Sequence, residues 1–220
     1  MEISNSVIKH YLKNVMFING TAYAGKSTMA KMLADKYGLI HCEENYDCVP
    51  KELLTQDKHP NLYYTFSVKD WQEFINRTPD AYAKWISGNT QELIEFEIAY
   101  LMSISKSQKV IVDTNLPVDV LREVADYNQV AIMLSPQSMS VEHFFDRDDK
   151  DFFKQKIMES ENPERTMANF RDCIAKIHSK EIYDEFLTSG FFTIVRESTI
   201  TDTRAETVET LAKHFRLDFF

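Results

Sequence analysis

The chain has 220 residues, 44% of them hydrophobic, enough apolar material for one soluble domain with a full core and room for an inserted subdomain, with no second core required. A formal net charge of −9 argues against a long polyanion such as a nucleic acid, whose affinity comes mainly from Lys and Arg displacing counterions. There is no run of about 18 apolar residues and no signal-peptide pattern at the start, where Glu2, Lys9, His10 and Lys13 interrupt the hydrophobics, so a cytosolic protein without a membrane partner is expected.

Residues 1–14 read as a short lead-in with a helical turn through Val7, Tyr11 and Leu12. Val15-Met16-Phe17-Ile18-Asn19 is a brief apolar run rich in strand formers. Further on, Thr28 to Tyr37 sets Met29, Leu33 and Tyr37 at helical spacing. Between the two lies Gly20-Thr21-Ala22-Tyr23-Ala24-Gly25-Lys26-Ser27, which fits the pattern G-x-x-x-x-G-K-[ST]. The context of strand, loop and helix gives that pattern its chemistry. Backbone N–H groups at a helix start form an anion-binding concavity, and glycine lets the backbone close on phosphate oxygens. The candidate phosphate ligands are therefore Gly20, Thr21, Ala22, Tyr23, Ala24, Gly25, Lys26, Ser27 and Thr28, with Lys26 reaching the β- and γ-phosphates and the Ser27 hydroxyl ligating Mg²⁺. Tyr23 and Ala24 stand where many such loops carry smaller residues or another glycine, a departure expected to lower affinity. The competing reading is an ordinary glycine turn with an exposed lysine.

After Gly38, a helix stop, Leu39-Ile40-His41-Cys42 reads as a second strand, and Glu43, Glu44, Asn45, Tyr46 and Asp47 follow it. Ligands of parallel sheets sit at the carboxyl ends of strands, so acids here face the same crevice as the loop, and one of them is a candidate base. The three cysteines, Cys42, Cys48 and Cys173, lack paired metal-ligand spacing and read as reduced thiols.

The stretch 48–106 shows helix signals rather than strands. Ser67-Val68-Lys69-Asp70 resembles a capping-box start, Thr78-Pro79 a cap followed by proline, and Asn89-Thr90 precedes a stripe of Ile94, Ile98, Leu101 and Met102. It also holds Trp71, Trp85, Tyr63, Tyr64, Phe66, Phe74 and Tyr82, which read as the small core of a helical insertion, with some lining an acceptor pocket. Arg77 is either a ligand for an anionic group of that acceptor or a solvated helix-end residue.

Lys109-Val110-Ile111-Val112-Asp113 is an apolar strand ending in an acid, which beside a phosphate loop holds Mg²⁺ directly or through water. Pro117 to Tyr127 reads as a helix and Val130-Ala131-Ile132-Met133-Leu134 as the fourth strand. The charged segment 137–162 is a solvated surface or a lid, part of a wider lid region 137–171 in which Arg147, Arg165 and Arg171 are candidates to contact the transferring phosphoryl group. Pro163 to Leu187 reads as one long helix, Phe191-Phe192-Thr193-Ile194-Val195 as the fifth strand, and Asp202 or Thr203 as the cap of a last helix through Val208, Leu211, Ala212 and Phe215. The loop from Arg196 to Thr203 lies where an adenine ring would rest.

The loop, the acid after the second strand, the Val112-Asp113-Thr114-Asn115 run and the arginine-bearing lid together resemble the P-loop small-molecule kinases, the group of adenylate, cytidylate and shikimate kinases, chloramphenicol phosphotransferase and polynucleotide kinase. The resemblance spans nearly the whole chain in element order, and only the loop is highly specific. It implies an α/β P-loop kinase fold in three layers, a five-stranded parallel sheet of order 2-3-1-4-5 flanked by helices. It further implies ATP and Mg²⁺, with an acceptor under the helical segment 48–106. Tyr46-Asp47-Cys48-Val49-Pro50 looks like the acid segment of chloramphenicol phosphotransferase, which makes Asp47 the general base, with Glu44 its rival. The Asp113 run is similar to that of polynucleotide kinases, and Arg147 falls near their lid arginine. No arginine pattern of a mononucleotide-phosphate site and no Asp-x-Asp of shikimate kinase is present, which leaves the acceptor open.

The expected activity is ATP- and Mg²⁺-dependent phosphoryl transfer to a hydroxyl or phosphate of a small molecule, a nucleoside or nucleotide among the candidates. The catalytic set is Lys26, Asp47, Arg147 and Arg171, with Ser27 and Asp113 at the metal. Expected partners are a nucleoside triphosphate and a small-molecule acceptor, in a monomer or a homodimer. The alternatives are a 5′-polynucleotide kinase and a nucleotide-binding switch without phosphotransfer.

Overall fold

The computed structural model describes residues 3–43, 47–146, 150–196 and 202–217. In chain order the elements are α1 (Asn5–Tyr11), β1 (Val15–Gly20), α2 (Lys26–Tyr37), β2 (Ile40–Cys42), α3 (Pro60–Ser67), α4 (Trp71–Ile75), α5 (Pro79–Ile104), β3 (Val110–Asp113), α6 (Val118–Val124) and β4 (Val130–Leu134). There follow α7 (Gln137–Glu142), α8 (Asp151–Met158), α9 (Pro163–Ile177), α10 (Lys180–Leu187), β5 (Phe192–Val195) and α11 (Arg204–His214).

All five strands are parallel, in the order β2-β3-β1-β4-β5, as the family resemblance implied. The register sets Ile18 opposite Asp113 and Gly20 opposite Met133, so the glycine that opens the loop and the acid that closes β3 share the carboxyl edge of the sheet. One face, carrying Met16, Ile18, Ile111 and Met133, packs against Met29, Leu33, Val208 and Leu211 of α2 and α11. The alternate residues Phe17, Val112 and Ile132 are also fully buried. Strands covered on both faces lose the alternation of a half-exposed sheet, and for that reason they stand out in the sequence as unbroken apolar runs. Each such side chain contributes roughly 1.5–3 kcal/mol by leaving water.

The chain divides into two compact units. The first comprises Met1–Cys48, Ile94–Ser135 and Asp184–Phe220 and carries the sheet; the second comprises Val49–Leu93 and Pro136–Tyr183. Composition requires no second core, yet the second unit has one of its own, in which Phe74, Tyr82, Phe145, Ile157, Phe170 and Ile174 are buried together. Its aromatics come from both of its segments, and Trp71, Tyr64, Trp85 and Phe153 pack around them. Tyr63 and Phe66 stay exposed.

Three local expectations are corrected. Asp70 is the residue that caps α4, accepting from the amides of Gln72 and Glu73, whereas Ser67 is the last residue of α3. No helix starts at Asn89-Thr90: α5 runs unbroken through them, and the Asn89 side chain donates to Thr65 Oγ1 at 2.6 Å instead of capping. Residues 163–187 form two helices: His178 is the C-cap of α9, its amide donating to the Ile174 carbonyl at 3.1 Å, and α10 starts afresh at Lys180. The last helix starts as expected, with Asp202 Oδ1 accepting the Arg204 amide at 3.0 Å.

Candidate functional site

The loop from Gly20 to Ser27 joins β1 to α2 at the carboxyl edge of the sheet. Gly20 has φ +125°, and a Cβ there would collide with the carbonyl oxygen of Met133, so only glycine lets β1 leave the sheet beside β4. Gly25, the N-cap of α2, has φ +90° with nothing within 4 Å of where a Cβ would stand, so it is set by conformation and not by crowding. Tyr23 takes φ +64°, an unfavourable value for a residue with a side chain.

Neighbouring side chains hold that shape. Ser135 donates from its amide to Thr21 Oγ1 at 2.7 Å and from its hydroxyl to the Ala22 carbonyl at 2.5 Å. Arg196 Nη1 donates to the Tyr23 carbonyl at 2.7 Å. In a planar trans peptide the N–H points opposite to the C=O, so anchoring these two carbonyls turns the amides of Tyr23 and Ala24 away from their anchors. The first-turn amides of α2, on Lys26, Ser27 and Thr28, have no acceptor within the helix. Together they form the type of N–H concavity that receives an anion.

Lys26 is 7% exposed, and its Nζ donates to the Thr21 carbonyl at 3.3 Å while lying 3.8 Å from Asp113 Oδ1. Ser27 Oγ donates to Asp113 Oδ2 at 2.5 Å. The structure thus brings together the three residues that sequence spacing singles out across the sheet. The Ser27 hydroxyl and Asp113 carboxylate are hard oxygen donors within one hydrogen bond of each other, a donor set that suits Mg²⁺.

Beside the loop, a cavity of about 580 Å³ is lined by Ala24, Gly25, Thr28, Arg196, Thr203 and Thr207 among others, with Met29, Met133 and Ile194 as its apolar wall. It has the dimensions of a small-molecule site. Of the Arg196–Thr203 loop expected to meet an adenine ring, Arg196, Asp202 and Thr203 line this cavity, and 197–201 lie outside the described residues.

Four supporting residues escaped the reading of the sequence. Besides Ser135 and Arg196, Asn19 is 1% exposed and bridges the Leu116 carbonyl and the Gly20 amide, each at 2.6 Å. Glu97 is 2% exposed and accepts from Thr114 Oγ1 at 2.6 Å. Glu97 alone left a trace, as a carboxylate on the apolar stripe of Ile94, Ile98 and Leu101. Its charge, after burial, helps push the Cys42 thiol up to about 11.

Asp47 is exposed, one residue before buried Cys48. Glu44, Asn45, Tyr46 and Arg147 lie outside the described residues. Arg165 and Arg171 are exposed on α9 of the second unit. Arg77, in the same unit, stacks 4.3 Å from the centre of the Tyr64 ring, with Phe74 and Trp85 nearby. All three cysteines are buried, and none is in a disulfide. Among the described residues no helix is long and apolar enough to cross a membrane, and no group of three or more His, Cys, Asp or Glu could hold a metal ion.

No protein-family model and no curated protein matches the chain. Among solved structures it is similar to dephospho-CoA kinase from Campylobacter jejuni, at 14% identity and a TM-score of 0.41, over 91% of this chain and 97% of that one.

Proposed function

We propose that this protein is an ATP- and Mg²⁺-dependent phosphotransferase that acts on a hydroxyl or phosphate of a small molecule. The observation that carries the reading is the convergence of Lys26 and Ser27, adjacent at the start of α2, on the carboxylate of Asp113 across the sheet. A glycine turn with a solvated lysine would not bury that lysine against a strand-end acid.

In this reading the triphosphate lies in the concavity of loop and first-turn amides, Lys26 neutralises charge between the β- and γ-phosphates, and the base occupies the cavity beside Thr28 and Thr207. Ser27 and Asp113 are the residues that would hold Mg²⁺, which when bound offsets the charge on the β- and γ-oxygens. Asp47 orients the acceptor hydroxyl and takes its proton as the new O–P bond forms and the bond from the γ-phosphorus to the β–γ bridging oxygen breaks, releasing ADP. A lid arginine, Arg147 or Arg171, stabilises the charge on the transferring group.

The test is ADP release over nucleosides, nucleotides, sugars, aminoglycosides and short oligonucleotides. Consumption of ATP that depends on one class of small acceptor supports the proposal. Nucleotide binding without turnover on any acceptor would replace it with a switch, and transfer confined to oligonucleotide 5′ ends would replace it with a polynucleotide kinase.

A further inference from the structure

A chain of buried polar groups in the first unit runs from α5 to the opening residue of the loop. Glu97 Oε1 accepts from Thr114 Oγ1 at 2.6 Å, and the same hydroxyl accepts the Leu116 amide at 3.0 Å. The Leu116 carbonyl accepts from Asn19 Nδ2, whose own Oδ1 accepts the Gly20 amide, each at 2.6 Å. The Thr114 amide donates to the Ile18 carbonyl at 3.0 Å, extending the β1–β3 ladder one residue beyond Asp113. Glu97, Asn19, Asp113 and Thr114 are each no more than 2% exposed.

A buried carboxylate is a costly way to hold a turn, since its desolvation must be offset by its partners. The Thr114 hydroxyl donates to Glu97 and presents its lone pair to the Leu116 amide, which leaves the turn one hydrogen-bonding arrangement. Thr114 is covalently next to Asp113, and Asp113 meets Ser27 and Lys26.

We propose that Glu97 is a positioning residue, which acts through Thr114 to set the Asp113 carboxylate against Ser27 without itself touching nucleotide or metal. This rests on the reading of Ser27 and Asp113 as the residues that hold Mg²⁺. Partners one shell out from a metal ligand change metal affinity by about 10–100-fold when removed. Loss of the Glu97–Thr114 bond therefore weakens metal binding specifically, and an amide in place of the carboxylate, which keeps an acceptor oxygen for Thr114, restores it.

The experiment is the binding of a fluorescent nonhydrolysable ATP analogue to the full chain as Mg²⁺ is titrated, for the unaltered protein and for Glu97→Gln, Glu97→Ala, Thr114→Ser and Thr114→Val, each with a thermal melt. Glu97→Gln and Thr114→Ser should half-saturate within about threefold of the unaltered protein's Mg²⁺ concentration. Glu97→Ala and Thr114→Val should need about tenfold more or beyond, with metal-free binding of the analogue unchanged. Should the single variants melt below the assay temperature, the double variant Glu97→Gln with Thr114→Val removes the hydroxyl and the carboxylate together and carries the same expectation. A normal Mg²⁺ midpoint in Glu97→Ala overturns the proposal, as does Glu97→Gln proving as impaired as Glu97→Ala, which would make the charge itself the working feature. If the unaltered protein itself shows no Mg²⁺-dependent binding, the metal reading fails, a failure visible before any variant is compared, and the positioning role falls with it.

Discussion

Ser27 Oγ donates to Asp113 Oδ2 at 2.5 Å, a bond between residues that lie 86 positions apart and meet at the carboxyl edge of the sheet. Under the proposal that both hold one ion, the two act as a unit, so their losses do not add. Ser27→Ala and Asp113→Asn should each lower kcat/KM by about 10²-fold or more, and the double variant should be no worse than the poorer single. ADP release at a series of Mg²⁺ concentrations checks this. Multiplying losses would mean that the two residues serve separate purposes.

Lys26 is buried to 7% exposure and its ammonium group sits between the Thr21 carbonyl and Asp113. Methionine keeps the aliphatic stem and its packing while deleting the charge. Lys26→Met should cost about 10²–10³-fold in kcat and leave the far-UV circular dichroism spectrum unchanged. Undiminished turnover in this variant would remove Lys26 from the mechanism.

The two loop glycines answer to different physics and should respond differently to alanine. At Gly20 a Cβ runs into the Met133 carbonyl oxygen, a backbone atom that cannot swing aside, on top of an unfavourable φ. Conformational strain of about 1–2 kcal/mol and overpacking of about 1–3 kcal/mol add there, whereas Gly25→Ala meets only the strain. At about 2–4 °C per kcal/mol, Gly20→Ala should melt several degrees below Gly25→Ala. Equal melting temperatures would show that β1 and β4 have room to part.

The strands and the loop were legible because their signals are local: apolar runs buried on both faces, and glycines and Lys26 at set spacing; the sheet order came only as what the family resemblance implied. The residues that hold the loop were not legible, since their partners are remote in sequence. Asn19 reaches Leu116 across 97 positions, Ser135 reaches Thr21 across 114 and Arg196 reaches Tyr23 across 173. A serine, an asparagine or an arginine carries no mark of such a partner. Asn89 misled for the related reason that its side chain was taken by Thr65 on a neighbouring helix, so a residue type that commonly caps stands in mid-helix. Half of the second core was legible, as the aromatics Phe74 and Tyr82 of a helical insertion, and half was not, because Phe145 comes from a segment that charge density marked as surface and Phe170 from the helix after it.

Thr207 of α11 lines the cavity beside the loop and is partly exposed. Thr207→Phe should fill part of the space assigned to the base without touching the phosphate concavity. Affinity for ATP should fall by about tenfold, a loss of about 1.4 kcal/mol, while affinity for inorganic triphosphate stays the same. Competition of both ligands against a fluorescent analogue reads the difference. Parallel losses would place the base elsewhere.

His214 links stability to pH away from the site. Its Nε2 lies 2.9 Å from the Val130 carbonyl, which can only accept, so the nitrogen donates. The ring stacks 4.4 Å from Phe192 and packs edge-on against Tyr127. Burial holds its pKa below the usual 6.5; hydrogen bonds to the Val130 and Tyr127 backbone oppose that shift, and the charge of Arg216 adds to it. A depressed folded-state pKa means that the unfolded chain takes up the proton first as pH falls. The stability contributed by neutral His214 is therefore complete above about pH 6.5 and is lost as pH drops through the folded-state value. His214→Gln keeps an N–H donor for Val130 and cannot titrate in this range. Urea midpoints of the two proteins should diverge most at pH 7.5 and converge toward pH 5, with the carboxylate contribution cancelling between them. A gap that stays constant across that range would mean that the imidazole takes up its proton without leaving its pocket.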